Sequence, residues 1–450
     1  MSADDRARAD AVYETLLQRQ GEQWVQPRVE RTRRALELLA DPQHTYRVVH
    51  VTGTNGKTST SRIIESLLRA HGLRTGMFTS PHLQRFTERV MIDGAPIEDA
   101  AIADAWDEIE PVIGLVDAEL AAAGDAPLTF FELLTVLAFV AFADAPVDVA
   151  VIEVGMGGAW DSTNTADGDV AVFAPIDLDH ADRLGNTIAE IATVKAGIIK
   201  DGAAVVSARQ SPEALAVLTA AAAARGATLA VEGDAFALES DKLAVGGQLM
   251  TVRGLAGRYD DEYLPLYGAH QGFNAALAIA AVESLIGGAT QPLTGDVLAE
   301  GLSQVVSPGR LQLIGIAPTV IVDAAHNPHG ARSLAAALGE SFDFDEWGVV
   351  LGVLGDKDAD GILAALAPVA TEVFVTAPDS ERAEEPDELA DRVEAAGLRV
   401  SVHRDLELAA EAAREWAASS PRRAVVVAGS VVLAGEALAL AAREGWKGGA

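Results

Sequence analysis

The chain has 450 residues, of which 49% are hydrophobic and 22% charged, and its formal net charge is −32. Its length exceeds what one hydrophobic core usually serves, so two or three domains are expected. The lack of cysteine excludes disulfides, thiolate zinc sites and cysteine nucleophiles, and the acidic balance argues against binding to nucleic acid or an anionic membrane.

The hydrophobic segments predict neither a secretion signal nor a membrane span. Residues 1–10 are charged and lack an apolar core. The longest clean apolar run, residues 133–143, is shorter than the roughly 20 residues that a bilayer requires. We therefore expect a cytoplasmic protein without a membrane partner.

Short β-branched runs alternate with helical stretches along most of the chain. In the first part, the pattern predicts a helix at residues 57–71, a hairpin around Asp93-Gly94, and strands at residues 48–51, 147–154 and 170–176. A second series of strands, with helices expected between them, is predicted at residues 320–323, 348–354, 372–376, 398–403 and 424–428. Continuous apolar strands are typical of parallel sheets covered on both faces. The sequence therefore predicts two doubly wound α/β domains, one at residues 1–306 and a smaller, Rossmann-like one at residues 307–450.

A glycine-rich turn lies between the first strand and the first long helix, and it makes the N-terminal domain a P-loop domain. The turn contains Gly53, Thr54, Asn55, Gly56, Lys57, Thr58 and Ser59. Its glycines allow backbone N–H groups to face an anion, and the helix N-terminus adds partial positive charge. Lys57 is expected to reach the β and γ phosphates, and Thr58 or Ser59 to offer a hydroxyl to Mg²⁺. The loop is shorter than the standard form, and by itself it indicates ATP or GTP without choosing between them.

Later segments give this loop a family context. They are Thr79-Ser80-Pro81-His82-Leu83, Glu88-Arg89-Val90, Thr129-Phe130-Phe131-Glu132, Glu153-Val154-Gly155-Met156-Gly157-Gly158 with Asp161 and Thr163-Asn164, Asp179-His180, Lys195-Ala196-Gly197-Ile198, His270-Gln271 with Asn274, Pro308-Gly309-Arg310, Asp323-Ala324-Ala325-His326-Asn327-Pro328 and Gly355-Asp356-Lys357-Asp358. With the phosphate loop, this series resembles the motifs of bifunctional folylpolyglutamate synthases/dihydrofolate synthases in the Mur ligase superfamily. Two positions depart from the commonest pattern: Ala159 stands where arginine usually follows the paired glycines, and Thr58 where glycine is frequent.

The resemblance implies a ligase of folate and one-carbon metabolism. Such an enzyme uses ATP to join L-glutamate to the carboxylate of dihydropteroate, of (poly)glutamyl tetrahydrofolate, or of both, through an acyl phosphate, releasing ADP and phosphate. It implies two Mg²⁺ ions and small-molecule partners only, and we expect a monomer. A cell-wall Mur-type amino acid ligase shares the loop and the reaction type, and a P-loop NTPase switch would explain the loop but not the later motifs. No Gly-x-Gly-x-x-Gly turn of a nicotinamide oxidoreductase follows the first strand.

The resemblance also implies roles for individual residues. It places Lys57, Glu153, His180 and Lys195 in the catalytic set, with Ser80, Glu153, His180 and a carbamoylated Lys195 at the metal ions. It implies ATP contacts for Asn274, Arg310 and Asp323. The implied substrate contacts are Ser80, Pro81, His82, Thr129, Phe130, Phe131, Glu132, Trp160, Asp161, His326 and Ser430, the last with His326 for glutamate.

Two of these residues also have a rationale in the sequence itself. Glu153 ends a strand run beside the phosphate loop, where a carboxylate is suited to Mg²⁺. Lys195 lies in an apolar segment, where burial would favour a neutral amine that can react with CO₂. A loop-closing Glu153, a lysine that extends along its helix, and a surface or core role for His180 remain open on the residues alone.

Overall fold

The computed structural model describes residues 3–21, 27–179 and 181–446. The chain divides into two compact units. The first contains Met1–Ser240, Met250–Tyr263 and Phe273–Val305, and the second contains Asp241–Leu249, Leu264–Gly272 and Val306–Ala450. Both units are α/β, which confirms the predicted fold class. Two short segments before residue 306 belong to the second unit in addition to the C-terminal stretch.

A mainly parallel sheet forms the centre of the first unit. Its strands are β1 (Arg47–Thr52), β2 (Thr75–Phe78), β3 (Val90–Ile92), β4 (Ala95–Pro96), β5 (Val149–Glu153), β6 (Val170–Phe173), β7 (Ala204–Ser207) and β8 (Thr228–Val231). They are ordered β4-β3-β2-β5-β1-β6-β7-β8, and β3 pairs antiparallel with both β2 and β4. The predicted strands and the hairpin around Asp93 are therefore confirmed, whereas β2, β7 and β8 were not predicted. Because β1 is central, its carboxyl end lies between those of β5 and β6.

Helices cover this sheet on both faces. They are α1 (Ala3–Leu17), α2 (Val29–Leu38), α3 (Lys57–Ala70), α4 (Asp99–Ala122), α5 (Phe130–Asp144), α6 (Ala181–Leu184), α7 (Ile188–Lys195), α8 (Pro212–Ala224), α9 (Ala269–Gly287) and α10 (Gly295–Ser303). The apolar run at residues 133–143 is a core helix, α5, which packs with α1, α2 and α4. Across the described residues, no helix combines the length and the apolar character that a membrane crossing needs.

Three further strands make a separate sheet, and the division between the units falls within them. They are β9 (Ala237–Ala244), β10 (Gly247–Arg253) and β11 (Arg258–Leu264), in the order β11-β10-β9. The sequence did not predict these strands. Exposed and charged positions interrupt any apolar run in β9 and β11, whereas β10 is mostly buried but contains polar residues.

The second unit contains its own sheet, ordered β12-β13-β17-β14-β15-β16. Its strands are β12 (Gln312–Ile316), β13 (Thr319–Val322), β14 (Glu346–Leu351), β15 (Ala370–Val375), β16 (Arg399–Val402) and β17 (Arg423–Ala428). Its helices are α11 (Pro328–Ser341), α12 (Ala359–Leu366), α13 (Pro386–Ala395), α14 (Leu406–Ala418) and α15 (Val431–Arg443). The predicted parallel strands and the helices between them are confirmed, and β12 adds an antiparallel edge.

Candidate active site

The phosphate loop joins β1 to α3 through a backbone that only glycine adopts easily. Gly53 has φ 150° and Gly56 has φ 86°, and Gly56 is the N-cap of α3. A Cβ at Gly53 would lie 2.7 Å from the Cβ of Ala174, and one at Gly56 would lie 2.7 Å from Oδ1 of Asn274. Asn274, expected to contact ATP, therefore packs directly against the loop. The loop closes tightly around the N-terminus of α3, as an anion site requires.

The lysine of the loop folds back over it. Lys57 is the first residue of α3, and its Nζ donates to the carbonyl oxygen of Thr54 at 3.2 Å. The hydroxyl of Thr54 in turn exchanges hydrogen bonds with the backbone of Asp177, after β6. The cation is thus held beside the backbone that would surround a phosphate group.

Glu153 lies next to this loop at the carboxyl end of β5. β5 pairs with β1 in parallel, with Glu153 opposite Val51, so its side chain reaches the start of α3. There Thr58 Oγ1 lies 2.9 and 3.1 Å from the two carboxylate oxygens and donates to them. Glu153 is only 1% exposed. A buried carboxylate oriented by a hydroxyl is a hard oxygen ligand set that suits Mg²⁺.

Lys195 is the last residue of α7, and its side chain also reaches the phosphate loop. Its side chain is buried, at 4% exposure, and Nζ donates to the carbonyl oxygen of Gly53 at 2.9 Å. Burial, together with the nearby charge of Lys57, lowers the pKa of Lys195 to about 7, against the opposing effect of Asp179 and Asp161. The amine is therefore substantially neutral near neutral pH, and the burial predicted from its apolar segment is present.

The glycine-rich turn after β5 packs against the Lys195 segment. A Cβ at Gly158 would lie 2.7 Å from the carbonyl oxygen of Lys195, so only glycine allows this approach. Asp161 holds the turn by accepting the backbone N–H of Met156 at 2.9 Å and that of Thr163 at 3.0 Å. Burial raises the pKa of Asp161, although these hydrogen bonds oppose the shift. Its carboxylate thus serves the loop itself rather than pointing outward.

The two residues that follow the paired glycines differ in exposure. Ala159, which replaces the usual arginine, is exposed, and its N–H donates to the carbonyl oxygen of Val194 at 2.9 Å. Trp160 is partly buried and packs against the apolar cluster around α7 and α8. Asn164 connects the turn to the Lys195 segment, because its Nδ2 donates to the carbonyl oxygens of Ala159 and Gly197, both at 3.1 Å.

The Ser80-Pro81-His82 segment follows β2 and leads to an aromatic and cationic cluster. Nε of Arg89 donates to Nδ1 of His82 at 2.7 Å, and the His82 Nε2 lies 3.4 Å from the hydroxyl of Tyr13. Burial and the Arg89 cation lower the pKa of His82 to about 3, so the ring is neutral and carries its hydrogen on Nε2. The guanidinium of Arg89 also lies over the Phe130 ring, 5.2 Å from its centroid. Sequence reasoning missed Tyr13, since α1 carries no motif that could reveal it.

The segment at residues 129–132 begins α5 with a capping box. Thr129 Oγ1 accepts the N–H of Glu132 at 3.3 Å, and the Glu132 carboxylate accepts the N–H of Thr129 at 2.7 Å. Arg28 donates to both carboxylate oxygens of Glu132, at 2.9 Å each. Phe131 packs on the glycine-rich turn, where a Cβ at Gly155 would lie 2.4 Å from its ring. Within this segment, Phe130 contacts Arg89 and Tyr13.

In the second unit, the predicted residues lie at the carboxyl ends of adjacent strands. Asp323 follows β13 and accepts the N–H groups of Leu311 at 2.9 Å and Ala325 at 2.8 Å. Burial raises the pKa of Asp323, and the nearby Arg310 cation opposes this. Ser430 follows β17 and caps α15, accepting the N–H of Val432 at 3.1 Å. This edge therefore joins a buried carboxylate to a helix N-terminus.

His326 lies at the same edge of the second unit. Its Nδ1 donates to the carbonyl oxygen of Ala324 at 2.9 Å, and Asn327 next to it caps α11 through the N–H of Gly330 at 2.8 Å. The backbone of Gly429 donates to Ala325 at 2.9 Å, which ties the start of α11 to the start of α15. Two helix N-termini with partial positive charge therefore begin here.

The metal ligands predicted from the sequence are only partly described. His180 lies outside the described residues. Within residues 3–21, 27–179 and 181–446, no group of three or more carboxylate or imidazole side chains that could hold a metal comes together. Glu153 and Lys195 both border the phosphate loop, whereas Ser80 lies after β2.

The sequence of the chain matches two family models. The Mur ligase middle domain matches residues 51–282, and the glutamate ligase domain of Mur ligases matches residues 309–431. Together with the phosphate loop and the two α/β units, these matches define a ligase of the Mur type.

Similar proteins narrow this class. The dihydrofolate synthase/folylpolyglutamate synthase of Mycobacterium tuberculosis is 45% identical over 464 residues, covering 98% of this chain and 95% of the relative. The structure of Mycobacterium tuberculosis folylpolyglutamate synthase complexed with ADP matches with a TM-score of 0.92 at 45% identity, covering 97% and 99% of the two chains. An FPGS–AMPPCP–folate complex matches with a TM-score of 0.81 at 35% identity, covering 92% and 95%. The chain belongs to the dihydrofolate synthase/folylpolyglutamate synthase family.

Proposed function

We propose that this chain uses ATP to join L-glutamate to the carboxylate of dihydropteroate, of (poly)glutamyl tetrahydrofolate, or of both. ATP-dependent ligation of glutamate to folates is the activity of its family. The observation that carries the proposal is the phosphate loop, which buried Lys195 contacts at the Gly53 carbonyl and buried Glu153 contacts at Thr58. The solved relatives that hold ADP, or AMPPCP and folate, support nucleotide and folate as the ligands.

The reaction proceeds in two steps. The acceptor carboxylate attacks the γ-phosphorus of ATP, which forms an acyl phosphate and releases ADP. The α-amine of glutamate then attacks the acyl carbon, the C–O bond to phosphate breaks, and the amine loses its proton as the amide forms. Phosphoryl transfer requires positioning and charge neutralisation above all, and Lys57 and Arg310 supply the cations.

Two Mg²⁺ ions complete this charge balance in the proposal. Glu153 and Ser80 are the proposed ligands of one ion, and His180 and Lys195 of the other. Mg²⁺ held by these residues would neutralise the negative charge that develops on the phosphate oxygens. The neutral amine of Lys195 attacks CO₂, loses a proton and becomes a carbamate, which offers oxygen atoms in place of nitrogen. Asn274 and Asp323 are assigned to the nucleotide.

The substrate contacts divide by chemistry. Phe130, Phe131 and Trp160 offer aromatic faces to the pterin, and Ser80, Pro81, His82 and Thr129 border them. We assign Asp161 and Glu132 a supporting part, because both carboxylates already accept hydrogen bonds from the fold. His326 and Ser430 are assigned to glutamate, whose carboxylates suit the helix N-termini where these residues lie.

The cellular setting belongs to the same proposal. We infer a cytoplasmic monomer that binds small molecules and no nucleic acid. The net charge of −32 supports the last point, since nucleic-acid binding depends on clustered lysine and arginine.

The test is ATP-dependent phosphate release with Mg²⁺ and L-glutamate, comparing dihydropteroate, tetrahydrofolate and a UDP-muramoyl peptide as acceptors. We expect release and a glutamylated product with one or both pterin compounds, and the pattern defines the acceptor. Turnover with the muramoyl peptide alone would assign the chain to cell-wall synthesis. Phosphate release that is indifferent to every acceptor would refute the ligase and favour a nucleotide switch.

A further inference from the structure

The proposed reaction gives no part to His50, a buried histidine in β1. It lies just before the phosphate loop, and its side chain is fully enclosed, at 0% exposure. Nε2 of His50 lies 2.9 Å from Oγ1 of Thr163, which is also buried. Burial, together with the Lys200 cation, lowers the pKa of His50 to about 3, so the ring is neutral and has one N–H to donate.

The hydroxyl of Thr163 determines which ring nitrogen of His50 carries that hydrogen. Oγ1 of Thr163 donates its only hydrogen to Oδ1 of Asp161 at 2.5 Å. The same hydroxyl therefore accepts from His50, which places the hydrogen of the ring on Nε2. Nδ1 of His50 is buried without a hydrogen-bond partner among the described residues, so the other tautomer would bury an unpaired donor. Hydrogen bonds thus run from His50 through Thr163 to the Asp161 carboxylate.

Asp161 connects these hydrogen bonds to the glycine-rich turn after β5. Its Oδ2 accepts the N–H of Met156 at 2.9 Å, within the turn. The carbonyl oxygen of Gly157, also in the turn, accepts a hydrogen bond from Oγ1 of Thr52 at 3.0 Å. His50 and Thr52 are two residues apart in β1, so their side chains leave the same face of the sheet. β1 therefore holds the turn at two points, directly through Thr52 and indirectly through His50.

The turn borders residues that are assigned to both reactants. Gly158 packs against the carbonyl oxygen of Lys195, whose side chain reaches the phosphate loop. Gly155 packs against the ring of Phe131, which is assigned to the pterin. A shift of the turn would therefore move the acceptor relative to the phosphate loop. Misplacement of reacting groups by about 1 Å can cost roughly 100-fold in rate.

We propose that His50 is a positioning residue that acts through Thr163 and Asp161 to fix the glycine-rich turn between the nucleotide and the acceptor. The hydrogen bond from His50 restrains the Thr163 hydroxyl, and that hydroxyl in turn orients the buried carboxylate. The effect on the acceptor rests on the proposed function, whereas the link from His50 to the turn does not.

Amide hydrogen exchange in the full-length chain tests the link from His50 to the turn. His50→Leu removes the donor, and it should speed exchange across residues 155–163 roughly tenfold, as for the loss of about one buried hydrogen bond. His50→Gln keeps an N–H that reaches Thr163, and it should stay within about threefold of the unaltered chain. The matched control is His71→Leu, because Nδ1 of His71 bonds the carbonyl oxygen of Leu67 at 2.7 Å beside α3; it should leave residues 155–163 unchanged. Unchanged exchange in His50→Leu would refute the proposal, and His50→Phe replaces this variant if it does not fold.

A double-mutant cycle tests the route through Thr163. In the background of Thr163→Val, adding His50→Leu should cause no further increase in exchange, since the acceptor of the His50 hydrogen bond is already gone. An additive increase would mean that His50 acts by another route, and it would overturn the proposal. Ring-nitrogen NMR with isotope-labelled histidine should show the hydrogen of His50 on Nε2 near neutral pH, and a hydrogen on Nδ1 would also overturn it.

Steady-state kinetics test whether the turn positions the acceptor. His50→Leu should raise the KM for the pterin acceptor roughly tenfold and leave the Kd for ADP within about twofold, because the phosphate loop keeps its own backbone. A purely structural role would lower the amount of active enzyme and leave this KM unchanged, as we expect for His71→Leu. An unchanged KM in His50→Leu would therefore refute the positioning role. If the unaltered chain ligates glutamate to no pterin, the proposed function fails and the effect on the acceptor fails with it, while hydrogen exchange still decides the link to the turn.

Discussion

Replacement of Glu132 by glutamine tests what the residues 129–132 segment does. Glu132 is 5% exposed and Arg28 is 7% exposed, and two hydrogen bonds of 2.9 Å join them. Glu132→Gln removes the negative charge but keeps the size of the side chain. It leaves the guanidinium of Arg28 buried without a counterion, whereas the amide oxygen of glutamine can still accept the N–H of Thr129.

The magnitude follows from the burial of the pair. Removing one partner of a buried ion pair costs about 3–5 kcal/mol, because the remaining charge cannot regain its hydration. The capping box adds little to this difference, because glutamine at the same position keeps an acceptor oxygen for the N–H of Thr129. Replacing both partners, as in Arg28→Met with Glu132→Met, removes the uncompensated charge, so this double variant should be more stable than Glu132→Gln.

The assay is urea unfolding of each variant with ADP absent, combined with the KM for the pterin acceptor. A matched control is Glu119→Gln, which breaks the equally close Arg34–Glu119 pair, whose side chains are 44% and 43% exposed. The control should change stability little. A large rise in KM for Glu132→Gln without loss of stability would refute this reasoning and make Glu132 a direct substrate contact.

Three further predictions follow from the site. Lys195→Met should be more stable than the unaltered chain near pH 7 in metal-free, CO₂-free buffer, by roughly 4 kcal/mol for a pKa of about 7 against 10.5. The difference should shrink as pH rises toward 10.5, because the unfolded chain binds the extra proton in that window; a pH-independent difference in urea titrations would contradict it. Gly158→Ala should destabilise by about 1–3 kcal/mol in urea unfolding, since its Cβ meets backbone, whereas Gly339→Ala, in open space, should not; equal effects would refute the steric argument. ADP at 100 times its Kd should raise the free energy of unfolding by about 2.7 kcal/mol. In a thermal unfolding assay, Lys57→Met should lose most of this stabilisation by ADP, whereas Lys242→Met, at an exposed lysine, should keep it.

The sequence predicted best those elements whose pattern reflects burial on both faces. The parallel strands of both sheets are continuous apolar runs, and Ile63, Ile64, Leu67 and Leu68 of α3 are all buried, as their helical spacing indicated. β2, β7 and β8 were missed because each has only four residues, too few to show a clear pattern of their own. β2, for example, contains only Thr75-Gly76-Met77-Phe78.

The sequence indicates candidate site residues where they belong to a motif at the end of a strand. It does not indicate contacts between residues that are far apart in the sequence and belong to no shared motif. The motifs placed Lys57, Glu153 and Lys195 in one implied site, and all three border the phosphate loop. Neither composition nor spacing could reveal that Arg28 would pair with Glu132 or that Tyr13 would approach His82. Such contacts depend on tertiary packing between segments that are far apart in the sequence.

The pairing of β1 with β5 has a consequence for how this site comes into existence. The phosphate-loop motif is contiguous, but the carboxylate beside it arrives on a strand about a hundred residues later, and Lys195 later still. Parallel pairing at such separation closes a long loop and forms late and slowly compared with a local helix. A nascent or truncated chain that ends before Val149 would carry the complete motif without its acidic partner. The motif is therefore only one part of a site that exists once the sheet has assembled.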